Sequence, residues 1–203
     1  SIRYKITTCC LQCQSLHILY TMIKYIKIIL EIQTMDRPET YKKDFFDKFH
    51  IPRWEELPAI DLYMDQVISF TYASLGEFFD SACISPLTKS MVNNYVKARI
   101  IDPPVNKKYS RLSMAMVLVV YILKSCYSTE EIRKLIDIGL SLPDNPVTYD
   151  RFCEAVERAV DAVFSGSIHV EDVKEAGRER RYLVDNFALS FACKIYVQYA
   201  INK

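Results

Sequence analysis

The sequence predicts a mainly all-α fold, a helix-turn-helix followed by a small basic hairpin and a C-terminal helical extension. Three observations lead there. Apolar residues recur at helical spacing in one stretch after another, and only one short stretch reads as a hairpin. Capping residues and prolines punctuate these stretches where helices would start and stop. Nine Lys/Arg stand against three acids between Thr88 and Lys134, a local charge of +6 in a chain whose net charge is +1. The remainder is therefore acidic, and such an asymmetry marks either a surface for an anionic partner or a solvated basic face.

Residues 1–34 differ from the rest of the chain. They are rich in Ile, Tyr, Lys and Thr without clear periodicity, and the apolar run from Leu16 to Ile32 is interrupted by Lys24 and Lys27. Lysines near the middle of so short a run are costly in a bilayer. The segment reads as an upstream extension, with Met35 as the start of the folded protein and an interfacial anchor as the alternative. Cys9, Cys10, Cys13 and His17 lack a second Cys/His pair at usable spacing, so no metal site is expected. Residues 35–56 form an aromatic lead-in with Trp54 and Pro52.

From Pro58 and Asp61 a helix is expected to about Phe79, with Ile60, Met64, Val67, Ile68, Tyr72 and Leu75 on its core stripe. Ser81 to Pro86 reads as the turn. Thr88 then caps a helix whose apolar stripe is Met91, Val92, Tyr95, Val96 and Ile100, ended by Pro103-Pro104. Its other face carries Lys89, Ser90, Asn93, Asn94 and Lys97. Val105 to Tyr109 is a tight loop or small hairpin. Ser110 caps a helix from Arg111 to about Lys124, apolar almost all round and so destined for a core. Ser128-Thr129-Glu130-Glu131 opens the next helix as a capping box.

Ser141 to Pro146 marks a boundary between a 57–140 domain and a 141–203 helical region. Within that region Thr148 to Phe164 is amphipathic, with Phe152, Val156, Ala159, Val160 and Val163 on one side. Glu171 to about Ile201 is one long helical pattern, charged first and then aromatic through Phe187, Phe191, Tyr196 and Tyr199. A homodimer through Thr148–Ile201 is expected, with the apolar end of the last helix as an exposed patch on a monomer if the N-terminal core does not cover it.

No phosphate-loop, dinucleotide, metalloprotease or nucleophile-elbow motif occurs, so no enzyme is expected and no cofactor is implied. Asp61/Asp65 and Glu154/Glu157/Asp161 read as solvated helix faces. The seven cysteines are odd in number, and Cys83, Cys126, Cys153 and Cys193 sit singly in apolar helical contexts, as in a reducing, cytoplasmic setting.

The order Thr88 to Pro104, a basic loop closed by Tyr109, then Tyr127-Ser128-Thr129-Glu130-Glu131-Ile132 resembles the winged helix-turn-helix of the mercury-resistance (MerR) regulator superfamily. Asn93-Asn94-Tyr95 stands where that pattern has Arg-Tyr-Tyr, and Arg99 where it has a turn glycine. Leu57–Val67, Leu87–Lys97 and Lys108-Tyr109-Ser110 look like the bacterial domain-of-unknown-function family 1836, over about Leu57 to Asp137. The resemblance implies a MerR-like DNA-binding fold, without enzyme activity, acting on double-stranded DNA.

On this reading the Thr88 helix enters the major groove. Asparagine can bond adenine bidentately and lysine can bond guanine or phosphate. Lys89, Ser90, Asn93, Asn94 and Lys97 would reach bases or phosphates, Lys107 and Lys108 would contact the backbone, and Arg111 is a further DNA-binding candidate. The alternatives are a protein-interaction adaptor on the same scaffold without DNA binding, and a small-molecule sensor.

Overall fold

The computed structural model describes residues 49–137, 146–167 and 179–202. The expectations for residues 1–34, for the 141–145 boundary and for the charged lead-in of the last helix lie outside the described residues. After a 3-10 turn at Trp54–Glu56 come strand β1 (Leu62–Tyr63) and helices α1 (Met64–Ser81) and α2 (Lys89–Lys97). Strand β2 (Lys108–Tyr109), α3 (Arg111–Leu123), α4 (Thr129–Asp137), α5 (Pro146–Ser165) and α6 (Glu179–Ile201) come after them. No helix among the described residues is long and apolar enough to cross a membrane.

Helix α1 starts later than its apolar pattern suggests. Leu62 and Tyr63 pair antiparallel with Tyr109 and Lys108, so the chain is extended until Met64. Ile60 therefore leaves the core stripe and is exposed. Tyr72 leaves it too: it is exposed, its ring fills the space beside Gly76 where a Cβ would sit, and its hydroxyl donates to Asp80 at 2.8 Å. Val67, Leu75, Phe78 and Phe79 are the residues that bury the helix.

Helices α1 and α2 close in the same way. After α1, Ile84 N–H reaches back to Phe79 O at 2.9 Å and Cys83 N–H to Asp80 O at 3.0 Å. After α2, Ile100 N–H reaches Tyr95 O and Arg99 N–H reaches Val96 O, each at 3.0 Å. This double bond pattern needs one left-handed residue just past the helix, usually glycine. Cys83 (φ 53°) and Arg99 (φ 57°) hold that conformation here. Arg99 thus takes the left-handed turn that ends α2.

Helix α3 is the centre of the core, buried at every position from Ser113 to Leu123. Ser110 caps it by accepting from Ser113 N–H at 3.2 Å. Around it Phe79 meets Tyr121 at 4.6 Å between ring centres and Phe191 of α6 at 6.0 Å. Phe152 of α5 stacks on Phe187 at 5.7 Å, and Tyr127 meets the same ring at 5.9 Å. One continuous apolar cluster therefore joins α1, α2 and α3 to α5 and α6, on both sides of the boundary expected at residue 141.

Phe152 meets Phe187 near the starts of α5 and α6, and Phe164 meets Tyr196 and Tyr199 near their ends. The two helices thus run side by side in the same direction. The consequence corrects one expectation. Phe187 and Phe191 are 3 % and 0 % exposed within a single chain, so they are core residues and not part of an exposed patch, while Tyr196 and Tyr199 are half-buried.

Candidate nucleic-acid interface

Helix α2 divides its residues as its sequence period predicts. Val92 and Tyr95 are buried, Met91 and Val96 are half-buried, and Lys89, Ser90, Asn93, Asn94 and Lys97 are exposed. Burial pushes the Tyr95 phenol above its ordinary value, as expected for a ring turned into the core. Thr88 caps the helix, its hydroxyl accepting from Met91 N–H at 3.3 Å. Behind α2, the Lys124 ammonium lies 3.4 Å from the Met91 sulfur and 5.7 Å from the Tyr121 ring centre. Burial lowers the Lys124 pKa and pushes the Tyr121 phenol up to about 12.

The loop after the double proline is a two-residue hairpin. Val105 and Lys108 exchange both backbone hydrogen bonds at 2.9 Å. Asn106 (φ 52°) and Lys107 (φ 66°) between them are both left-handed. Two positive φ values in a two-residue loop make a type I′ turn, whose twist suits an antiparallel ribbon. Asparagine accepts that conformation readily; glycine would suit the second position better than lysine.

Because Val105 opposes Lys108 and Lys108 opposes Tyr63, the three side chains form one row on one face of the ribbon. Val105 and Tyr63 are exposed, and the Lys108 ammonium lies 5.1 Å from the Tyr63 ring centre. Sequence reasoning did not include Tyr63 or Val105 in the site. A two-residue strand has too little alternation to announce itself.

Asp65, in the first turn of α1, ion-pairs with Lys89 at the first turn of α2. Tyr63, two residues before Asp65, supports Lys108. The N-terminal end of α1 therefore brings the start of α2 and the hairpin to one edge of the protein. Both Asp65 and Lys89 are well exposed, so this pair contributes little to stability and leaves the lysine available to a stronger anion.

Arg111 stands apart from the other expected contact residues. Its side chain is 24 % exposed, ion-paired with Glu55 at 3.5 Å, bonded to Pro58 O at 3.5 Å and stacked 5.8 Å from the Trp54 ring centre. It joins α3 to the lead-in and does not face solvent as a free cation. Glu157 also departs from its expected solvated face. It is one-fifth exposed and holds Arg53 through both guanidinium nitrogens. That bond, foremost among the causes, raises the Arg53 pKa further. Among the described residues no group of three or more His, Cys, Asp or Glu side chains is arranged to hold a metal ion.

The chain was compared with known proteins. Residues 52–152 match the family described as Domain of unknown function (DUF1836). The match supports the family resemblance drawn from Leu57–Val67, Leu87–Lys97 and Lys108–Ser110. The DUF1836 segment contains α1, α2, the hairpin, α3 and α4, and it ends within α5. No curated protein and no solved structure matches the chain.

Proposed function

We propose that the protein is a DNA-binding transcriptional regulator of MerR-like type, with α2 as the major-groove helix and the Val105–Lys108 hairpin, paired to β1, as its wing. The observation that carries this reading is the shared edge at the start of α1. Asp65 meets Lys89 of α2 there, and Tyr63 meets Lys108 of the hairpin. Polar base-reading side chains on α2 and phosphate-seeking lysines on the hairpin can then act on one duplex.

Two further features support a cationic role for this surface. Lys107 and Arg99 occupy left-handed positions where glycine would be unstrained, at a cost of about 1–2 kcal/mol each. Strain kept at exposed cations points to function more than to folding. Base contacts are assigned to Asn93, Asn94 and Lys97, with Ser90 and Lys89 at the entry of the helix. Backbone contacts are assigned to Lys107 and Lys108. Arg111 is withdrawn from the DNA-contacting set, because its side chain is engaged with Trp54, Glu55 and Pro58. Reading a two-fold operator calls for a homodimer. Its seam would lie outside the Phe187–Phe191 core, for which exposed Tyr182, Val197 and Ile201 of α6 are available.

The test begins with a random-site selection on the full chain. Fluorescence anisotropy then compares the selected duplex with a scrambled one across a salt series. Phosphate contacts release counterions, so binding should weaken steeply with salt on both duplexes, and the selected one should hold on longer. Failure to bind either duplex at low salt would end this reading and leave the protein-interaction adaptor in its place.

A further inference from the structure

We propose that residues 50–58 form a strap through which α5 sets the position of the hairpin, with Glu157 as the positioning residue at its far end. One end of the strap is fastened to α5 by directional bonds. The Glu157 carboxylate accepts from Ile51 N–H at 2.7 Å and from Arg53 Nη1 at 2.8 Å, and it faces His50 Nδ1 at 3.2 Å. Asp150 accepts from Trp54 N–H at 2.8 Å, and the Tyr149 hydroxyl donates to Pro52 O at 2.8 Å. Tyr149, Asp150, Cys153 and Glu157 follow helical spacing, so one face of α5 receives the whole segment. Cys153 on that face is fully buried.

The other end of the strap is fastened to the hairpin. Its chain runs directly into β1. Glu55, Trp54 and Pro58 together hold Arg111, which follows β2 across the single cap residue Ser110. Both strands of the ribbon are therefore tied to the strap, one by the chain and one through Arg111. Hydrogen bonds to charged groups are stronger than neutral ones, and losing one partner of a half-covered pair leaves the other charge unsatisfied. A change at α5 that loosens Glu157 should thus reach the hairpin, without passing through the buried α3 core.

The inference rests on the proposed function only for its consequence in DNA binding, and its test does not use DNA. Trp54 is the chain's only tryptophan, so its fluorescence reports the seating of the strap. Amide hydrogen exchange at Val105 and Lys108 reports the hairpin, since each amide bonds to the other residue's carbonyl. In the full chain, Glu157→Gln should shift Trp54 emission to the red and speed exchange at Val105 and Lys108 about tenfold. Amides of Val117–Val120 should stay protected. Asp150→Asn, which loosens the same end through a different bond, should act in the same direction and stands in if Glu157→Gln does not fold. Hairpin exchange that stays at the wild-type rate in the folded variants, whether or not Trp54 emission moves, would overturn the proposal. If wild-type protein binds no DNA while the hairpin amides respond, the strap stands and the regulator reading falls.

Discussion

The ammonium of Lys108 lies 5.1 Å from the centre of the Tyr63 ring, its partner across the β1–β2 pair. The ring is half exposed, so the lysine is held over an aromatic face and not sealed beneath it. Cation–π contacts at exposed sites contribute about 0.5–1 kcal/mol, enough to orient a flexible side chain but not to withhold it from phosphate. If the hairpin grips phosphate as proposed, Lys108→Ala should weaken all DNA alike and reduce the salt slope by roughly one unit. Tyr63→Ala should weaken binding less and leave the salt slope unchanged, because the charge remains. Anisotropy across a salt series separates the two.

Asn93 and Asn94 are exposed on α2 and uncharged. If Asn94 reads a base edge, Asn94→Ala should cost about 1–3 kcal/mol on a selected site and almost nothing on a scrambled duplex. Equal weakening on both duplexes would assign Asn94 to the backbone.

Arg99 closes α2 with φ 57°. Arg99→Gly should stabilise the fold by about 1 kcal/mol, since glycine carries no left-handed penalty and loses part of that gain to backbone entropy. The melting temperature should rise. A lower melting temperature would mean that the arginine side chain, and not the turn, holds the helix end.

Phe191 is fully buried between Phe79, Phe78 and Phe187. Phe191→Ala should cost about 3–5 kcal/mol, the range for deleting a buried aromatic ring. Chemical denaturation measures it. A cost below about 1 kcal/mol would place this ring outside the core. The same burial makes Phe187→Glu and Phe191→Glu unsuitable as probes of a dimer. Tyr182→Glu and Val197→Glu, on the exposed side of α6, should leave the fold intact and report on self-association by light scattering.

The Glu56 carboxylate accepts from Arg53 N–H at 2.6 Å and faces His50 at 2.9 Å. The Arg53 N–H, ahead of His50, holds its pKa below the ordinary value. A carboxyl with a depressed folded pKa contributes stability above its unfolded value, and that contribution is lost as pH falls through the folded value. The strap should accordingly loosen below about pH 4.3, the ordinary glutamate value. Trp54 emission should change in step. Glu56→Gln should remove that part of the acid transition and loosen the strap slightly at neutral pH.

Short-range chemistry made much of this fold legible. Thr88, Ser110 and the Ser128–Glu131 box cap the helices they announce, with Ser128 N–H reaching Glu131 at 2.8 Å. Each needs only residues within one turn, so the order of residues suffices. The same holds for the exposed polar face of α2, because helical period alone separates Asn93, Asn94 and Lys97 from Val92 and Tyr95. The Pro103-Pro104 break and the turn-forming Asn106 likewise marked the hairpin.

Tertiary structure decided what depends on partners far along the chain. Leu62 and Tyr63 are extended because Lys108 and Tyr109 lie beside them, which no local pattern encodes. Glu157 looks like one of several surface acids until Arg53 and Ile51, 104 and 106 residues earlier in the chain, meet it. Phe187 and Phe191 look like a seam until Phe152 and Phe79 cover them. Arg111 looks like a free cation beside two lysines until Trp54, Glu55 and Pro58 enclose it. A side chain's type and period say that it can be buried or paired. Which group meets it is a matter of topology, and topology is set by the packing of the whole core around α3.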